Sequence, residues 1–306
     1  MQSKVSIIPF DWKYTDAVIK FLNKVTEVKN TEKEISKVLF TQYHNLPGSN
    51  PLKDCFIATT KHDEIVGFLH LIFERGINRA VAIAKTFSTD QKKLILSDFT
   101  DISIAFATSR NASILHTQIE NTDISTIEEF KKKWLPVKEY WNLKCTLTNL
   151  SNSGNIILPE GYTVERLNPV TDIGILTYIQ NISFENHWGF CPNTEEEIEA
   201  RVKMENSDPE GILLIKHAGE IAGYNWTMLS SKGKNSTGWI TMTGVSPKYR
   251  GRGLGELVVT LGMDYLFKKG AGTIELEVDS SNAPALTLYT KLGFKKVSAS
   301  TWFQKI

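Results

Sequence analysis

Apolar positions along the second half of the chain follow two different periods. Residues 211–216 and 221–229 are apolar runs on either side of Ala218-Gly219, which predicts a hairpin of two strands. Leu254, Leu257, Val258, Leu261 and Tyr265 recur at helical spacing, with Lys268-Lys269 in the last turn and Gly270 as the stop. Upstream, the pattern predicts a strand over 162–167 and a helix over 172–182. Thr194 with Glu197 makes a capping box opening a helix that runs to about Asn206. Further strands are predicted over 239–245 and 273–278, and a helix over 284–292 closed by Gly293. The chain then ends in β-like segments. Strands alternating with helices after an initial hairpin predict a mixed α/β domain.

The first half echoes the second. Residues 54–68 overlay residues 210–224, with one residue inserted in the second copy between Lys-His and Glu-Ile. Each reads as an apolar strand, a Lys-His turn, and a strand entered through Gly-aromatic. Residues 5–16 resemble 164–172 in the same way, a strand running through a Pro-containing turn into a helical pattern. Matching order of several segments points to two copies of one unit, each about 150 residues long. Residues 148–155 are polar and rich in turn formers, so the expected boundary divides the chain into 1–149 and 150–306.

Composition narrows the classes. Lys+Arg number 35 against 34 Asp+Glu, so no bulk field recruits nucleic acid. No apolar run reaches the ~18 residues of a membrane span, and the N-terminus lacks a secretory h-region. Cys55, Cys145 and Cys191 are an odd number without CxxC spacing, giving neither a disulfide framework nor a zinc site. His44, His62, His70, His116 and His217 show no ligand spacing, so no metal is expected. The expectation is a cytoplasmic protein without nucleic-acid or membrane partners.

The sharpest chemical signal is Val245-Ser246-Pro247-Lys248-Tyr249-Arg250-Gly251-Arg252-Gly253-Leu254-Gly255. A strand ends, a turn begins at Pro247, and three glycines lead into the amphipathic helix. Glycines admit a ligand close to the backbone, and a helix start offers unpaired N–H donors and a positive dipole end. A pyrophosphate suits such a turn, with Arg250 and Arg252 adding charge. A P-loop would need Gly-Lys-Ser/Thr, and a dinucleotide fingerprint started at Gly251 would need glycine where Glu256 stands. Neither fits.

Arg250-Gly251-Arg252-Gly253-Leu254-Gly255 resembles instead the acetyl-CoA signature of the GNAT family of N-acetyltransferases. The segment Asn282-Ala283-Pro284-Ala285-Leu286-Thr287-Leu288-Tyr289-Thr290-Lys291-Leu292-Gly293-Phe294 is similar to a second motif of that family. The resemblance implies that Asn282 holds the pantetheine arm and Tyr289 is the general acid. It also implies a strand splay whose backbone, at Thr243, Gly244 and Val245, binds pantetheine and polarises the thioester carbonyl. Chemistry supplies reasons: the departing CoA thiolate has a conjugate acid near pKa ~8.5, which a phenol in reach can protonate. Gly244 inside a strand points to a bulge there. Strong over 239–294, the resemblance extends through the two-copy layout to tandem members such as the mycothiol synthases. Those carry a glutamate early in the strand where Trp239 stands here.

An amine of lysine-like pKa must lose a proton before it attacks. The aromatic loop 184–190 offers Glu185 and His187 for this, and the predicted strand 273–278 offers Glu275 or Glu277. Cys191 reads as a packing thiol. In the first copy, residues 84–93 match the pyrophosphate turn without a glycine, and Phe130 stands where Tyr289 does. A phenylalanine cannot donate a proton, so this copy keeps the fold, loses catalysis, and serves to pack against the active half and wall the acceptor site. The expected whole is two tandem GNAT-like domains of mixed sheet flanked by helices, the first degenerate. The second would move an acetyl group from acetyl-CoA to a small-molecule amine in a ternary complex. A non-catalytic acyl-CoA-binding module, or a peptide or protein amine as acceptor, are the alternatives.

Overall fold

A computed structural model describes residues 5–28, 35–87, 91–146, 156–229 and 236–305. Contacts divide the chain into two compact units, Met1–Glu139 with Ala299–Ile306, and Tyr140–Ser298.

Unit 1 runs β1 (Ser6–Pro9), α1 (Thr15–Val28), α2 (Lys37–His44), α3 (Pro51–Asp54), β2 (Cys55–Thr59), β3 (Ile65–Glu74), β4 (Arg79–Thr86), α4 (Lys92–Ser109), β5 (Ile114–Glu120) and α5 (Ile124–Phe130). It also holds the start of β6 (Trp134–Thr146) and the end of β12 (Lys295–Lys305). Its sheet orders β1-β2-β3-β4-β5 and then the chain's own end, Ser300–Gln304 lying antiparallel to β5. The β4–β5 pair is parallel and the others antiparallel. Successive strand residues serve opposite faces: Ile57 and Phe68 join Phe10, Val18, Phe21 and Phe40, whereas Ala58 and Leu69 join Ile95, Phe99 and Phe303.

Unit 2 repeats the order with β7 (Tyr162–Arg166), α6 (Ile173–Phe184), α7 (Glu195–Val202), β8 (Ser207–His217), β9 (Glu220–Leu229), β10 (Ser236–Val245), α8 (Leu254–Lys268), β11 (Ala271–Asp279) and α9 (Ala283–Lys291). Its sheet orders β7-β8-β9-β10-β11, then the second part of β6, Tyr140–Thr146 pairing antiparallel with β11. Ile212 and Leu214 face α6 and α7 beside Leu176, Ile179 and Ile198. Leu213 and Ile215 face Val258, Val259 and Leu266 of α8. Burial on both faces is why β8 reads as an unbroken apolar run rather than an alternating one. The hairpin turn is Ala218 (φ 49°) and Gly219 (φ 83°), both left-handed, as a tight two-residue connection requires. The Thr194–Glu197 capping box forms, with Thr194 N–H donating to Glu197 Oε2 at 2.8 Å and Glu197 N–H to Thr194 Oγ1 at 3.2 Å. Helix α7 stops at Val202, before the Asn206 expected: Lys203 turns to ψ 0°, and Met204 N–H bonds Arg201 O, three residues back, at 3.2 Å.

Strand pairing divides the chain differently from its turn-former composition. Residues 140–146 belong with unit 2 and residues 299–306 with unit 1, whereas the sequence placed the boundary at 149/150. The polar stretch 148–155 that suggested that boundary lies outside the described residues, as do 88–90 of the glycine-free turn in the first copy. Among the described residues no helix is long and apolar enough to cross a membrane. The three cysteines are free thiols.

Candidate active site

The site in unit 2 is built on a fork in the sheet. Strands β10 and β11 run parallel from Ser236↔Ala271 to Trp239↔Glu275, and no pairing between them is found beyond that point. Past the fork, β10 stays paired with β9 through Val245↔Gly223 while β11 stays paired with β6 through Asp279↔Tyr140. The side of β10 turned toward β11 therefore carries main-chain polar groups over 242–245 that the sheet does not engage.

The bulge expected at Gly244 lies elsewhere. The β9–β10 register slips between Ile240 and Met242, at Thr241, whose hydroxyl donates to Trp226 O at 3.0 Å. Gly244 is in register opposite Tyr224. Its reason to be glycine is close approach: an added Cβ would stand 2.6 Å from Ser183 Cβ and 2.9 Å from the Tyr224 ring. Thr243 holds β9 through a 3.2 Å bond to Tyr224 O.

The glycine-rich turn follows the fork. The turn Pro247–Tyr249 is fixed by Glu220, whose carboxylate accepts from Tyr249 Oη at 2.8 Å and from Lys248. Those two donors hold the Glu220 carboxyl below its usual range. Gly251 (φ 78°) and Gly253 (φ 77°) take the left-handed conformation that favours glycine, and nothing lies within 4 Å of where either Cβ would point. Gly253 is the N-cap of α8, so the N–H groups of Leu254 and Gly255 point out of the helix start with no intrahelical partner to take them. The first turn of α8 lies against α9: a Cβ added at Gly255 would meet Leu288 at 3.5 Å, and Glu256 pairs with Lys291 at 2.6 Å.

The two arginines have structural partners. Arg250 donates to Ser183 O at 2.8 Å and to Val245 O at 3.2 Å, tying the last turn of α6 to the end of β10. Arg252 rests over the Tyr249 ring at 5.2 Å.

Tyr289 projects from α9 into the interior, 8% exposed, with its ring against Phe294. Burial pushes its phenol up to about 12. The same effect, reinforced by Tyr289 itself, raises Tyr224 well above the ordinary tyrosine value. The Tyr224 hydroxyl and Ser183 Oγ are both buried and have no hydrogen-bond partner among the described residues. Neither residue was singled out from sequence, although Tyr224 ends the Gly-aromatic repeat whose first-copy member is Phe68. Tyr224 and Tyr289 thus match phenylalanines in unit 1, Phe68 and Phe130. Asn282 Oδ1 accepts from Ala285 N–H at 3.2 Å and caps α9 behind Pro284.

Of the proton acceptors expected, Glu185 is exposed immediately after α6 and His187 packs on Phe184 at 4.7 Å, two and four residues beyond Ser183. Glu275 sits at the fork's last pair with its carboxylate 3.3 Å from Lys144. Glu277 is exposed on β11, and Cys191 is half-buried in the loop before α7. A separate concavity of about 780 Å³ between α7 and the start of β8 includes none of these residues.

A mixed sheet forked between two parallel strands, with a glycine-rich helix start at the fork, defines unit 2 as an α/β domain. Residues 176–294 match the model of the acetyltransferase (GNAT) family, and unit 2 carries a domain of that family. Among curated relatives, the chain is 28% identical over 172 residues to a mycothiol acetyltransferase of Catenulispora acidiphila, and 31% identical over 167 residues to one of Stackebrandtia nassauensis. These alignments take in 55% and 54% of this chain, and the chain spans about half the length, 54%, of each relative. The fold extends further. A GCN5-related N-acetyltransferase from Sphaerobacter thermophilus superposes with TM-score 0.77 at 18% identity, covering 98% of this chain and 95% of that one. A tandem GNAT protein from the clavulanic acid biosynthesis pathway gives 0.74 at 13% identity, covering 98% of both.

Proposed function

We propose that the chain is an acetyl-CoA-dependent N-acetyltransferase whose working site is in unit 2 and whose acceptor is a primary amine of a small molecule. The observation that carries this reading is the fork past Trp239↔Glu275 leading into the open glycine turn, with two buried phenols beside it. Acetyl-CoA fits the residues present. The N–H groups at the start of α8 suit a pyrophosphate, the unpaired side of 242–245 suits an amide-bearing arm, and Ser183 Oγ and Tyr224 Oη are buried without a partner among the described residues.

In the reaction the amine nitrogen attacks the thioester carbonyl carbon, the C–N bond forms, and the C–S bond breaks. A main-chain N–H of 243–245 stabilises the oxygen as it gains charge. Tyr289 donates its proton to the departing thiolate, and burial keeps that proton in place at neutral pH. The proton lost by the amine goes to Glu185 or His187, the groups at the α6 exit, and from there to solvent. Asn282 and Arg252 border the arm and the phosphates.

A screen of primary amines with acetyl-CoA, read by release of free thiol, tests the proposal. Acetylation of at least one small amine is expected. Tight acetyl-CoA binding with no transfer to any amine would make unit 2 a binding module. Transfer confined to peptides would replace the acceptor class.

A further inference from the structure

Unit 1 brings together three side chains that the sequence keeps apart. His44 closes α2, Cys55 opens β2, and His70 lies in β3 directly across from Cys55 in the antiparallel register. Cross-strand partners present their side chains on one face, and α2 lays His44 against that face. The imidazole rings of His44 and His70 are 4.8 Å apart, and one ligand atom from each of the three residues lies within 4.8 Å of the others. All three are buried, Cys55 completely.

The histidine from the helix is oriented as a ligand. Its Nδ1 lies 2.8 Å from Phe40 O, a carbonyl that can only accept, so the proton is on Nδ1 and the lone pair on Nε2. That Nε2 is buried with no hydrogen-bond partner among the described residues. Phe40, one turn earlier, packs on the ring at 4.0 Å and fixes its plane. A metal-bound histidine characteristically donates its second N–H to a backbone carbonyl in this way. The shared fold does not require the set, because the matching strand positions in unit 2 are Ile212 and Trp226.

We propose that His44, Cys55 and His70 form a binding site for one thiophilic transition-metal cation, of which zinc(II) is the representative. Two imidazole nitrogens and a thiolate are a donor set that zinc accepts, and they would staple α2 to the sheet. The cation displaces the Cys55 thiol proton to solvent and takes its place on sulfur. Asp54, buried beside Cys55 and paired with Arg110 at 3.4 Å, supplies negative charge near the resulting cationic centre. Entry occurs as the chain folds, since the ligands are enclosed afterwards.

Cobalt(II) is the probe, because its thiolate complexes carry a near-ultraviolet charge-transfer band that histidine-only sites lack. The untagged full chain, unfolded with a chelator and refolded with cobalt(II), should develop this band at one equivalent and lack it when refolded with one equivalent of zinc(II) as well. A chain with Cys145→Ala and Cys191→Ala, in which Cys55 is the remaining thiol, should keep the band. Cys55→Ser should lose it with the far-ultraviolet circular dichroism of the parent. Absence of the band in the folded parent chain overturns the proposal whatever the variants do. So does a band that persists in folded Cys55→Ser or vanishes in the folded Cys145→Ala, Cys191→Ala chain. None of these readouts depends on acetyl transfer.

Discussion

Ser183 of α6 and Gly244 of β10 approach so closely that a methyl group on the glycine would stand 2.6 Å from Ser183 Cβ. Backbone contact of this kind fixes how near α6 lies to the forked strand, and therefore how wide the cleft opens. Gly244→Ala forces one of the two elements to move. Overpacking typically costs about 1–3 kcal/mol, so the variant should unfold at lower denaturant. Its KM for acetyl-CoA should rise as the fork shifts. Chemical denaturation and initial-rate kinetics check this; a variant with the parent's midpoint and KM would show that α6 yields freely.

Tyr224→Phe makes a contrasting case. The Tyr224 hydroxyl is buried without a partner among the described residues, a state that costs about 1–3 kcal/mol relative to a satisfied one. Removing it should stabilise the unliganded protein by about 1 kcal/mol. If that hydroxyl serves the bound arm, acetyl-CoA affinity should fall in the same variant. Thermal unfolding with and without acetyl-CoA separates the two effects. A gain in both stability and affinity would remove Tyr224 from the site.

The helix starts, the hairpin and the glycine turn were legible from sequence because each is a local event: Thr194 caps its own helix, and Gly253 opens one. What escaped depends on contacts distant in sequence. Gly244 looked like a bulge because a strand glycine has more than one cause, and only Ser183, 61 residues upstream, decides between them. Arg250 read as bare positive charge, yet its guanidinium is spent on two carbonyls. The strands that complete each sheet escaped for the same reason. Turn-forming composition marks a flexible stretch, whereas strand pairing decides which sheet 140–146 and 299–305 complete. His44, Cys55 and His70 have no ligand spacing at all, and only the register of β2 on β3 unites two of them.

One acetyl-CoA per chain is expected, bound at the start of α8. Gly253→Asp puts a carboxylate at the N-cap with open space around it, a residue type that tolerates the left-handed conformation better than most. The variant should therefore fold while repelling the phosphates that the helix start would hold. Calorimetry should read a stoichiometry of one for the parent and no binding for the variant. Two equivalent sites in the parent would put a working turn in unit 1 as well.

Arg250 can be tested for its tie separately from its charge. Arg250→Lys keeps the charge but cannot span Ser183 O and Val245 O with the same fork. Both Arg250→Lys and Arg250→Ala should lose about 1 kcal/mol of stability. Acetyl-CoA affinity should fall further in the alanine variant and show a weaker salt dependence there. Equal affinity in all three proteins would leave Arg250 a purely structural residue.

Tyr289→Phe separates chemistry from packing. The substitution removes one oxygen and leaves the ring against Phe294, so stability and acetyl-CoA affinity should change little. General-acid assistance is typically worth ~10²–10⁴ in rate, and kcat should drop by that order. The pH dependence has a definite sign. Burial raises the Tyr289 pKa to about 12, so the phenol stays protonated past the pH at which an ordinary tyrosine ionises. The parent's rate should not decline through loss of this proton below about pH 10, and the alkaline limb it causes should be missing in Tyr289→Phe. Linkage runs the same way: a folded-state pKa above the unfolded value stabilises the fold fully below the unfolded pKa, near ~10, and that contribution disappears as pH rises through about 12. Tyr289→Phe should therefore lose less stability than the parent between those values. An unchanged kcat with an identified acceptor would make Tyr289 a packing residue like Phe130, and would pass the protonation of the thiolate to solvent.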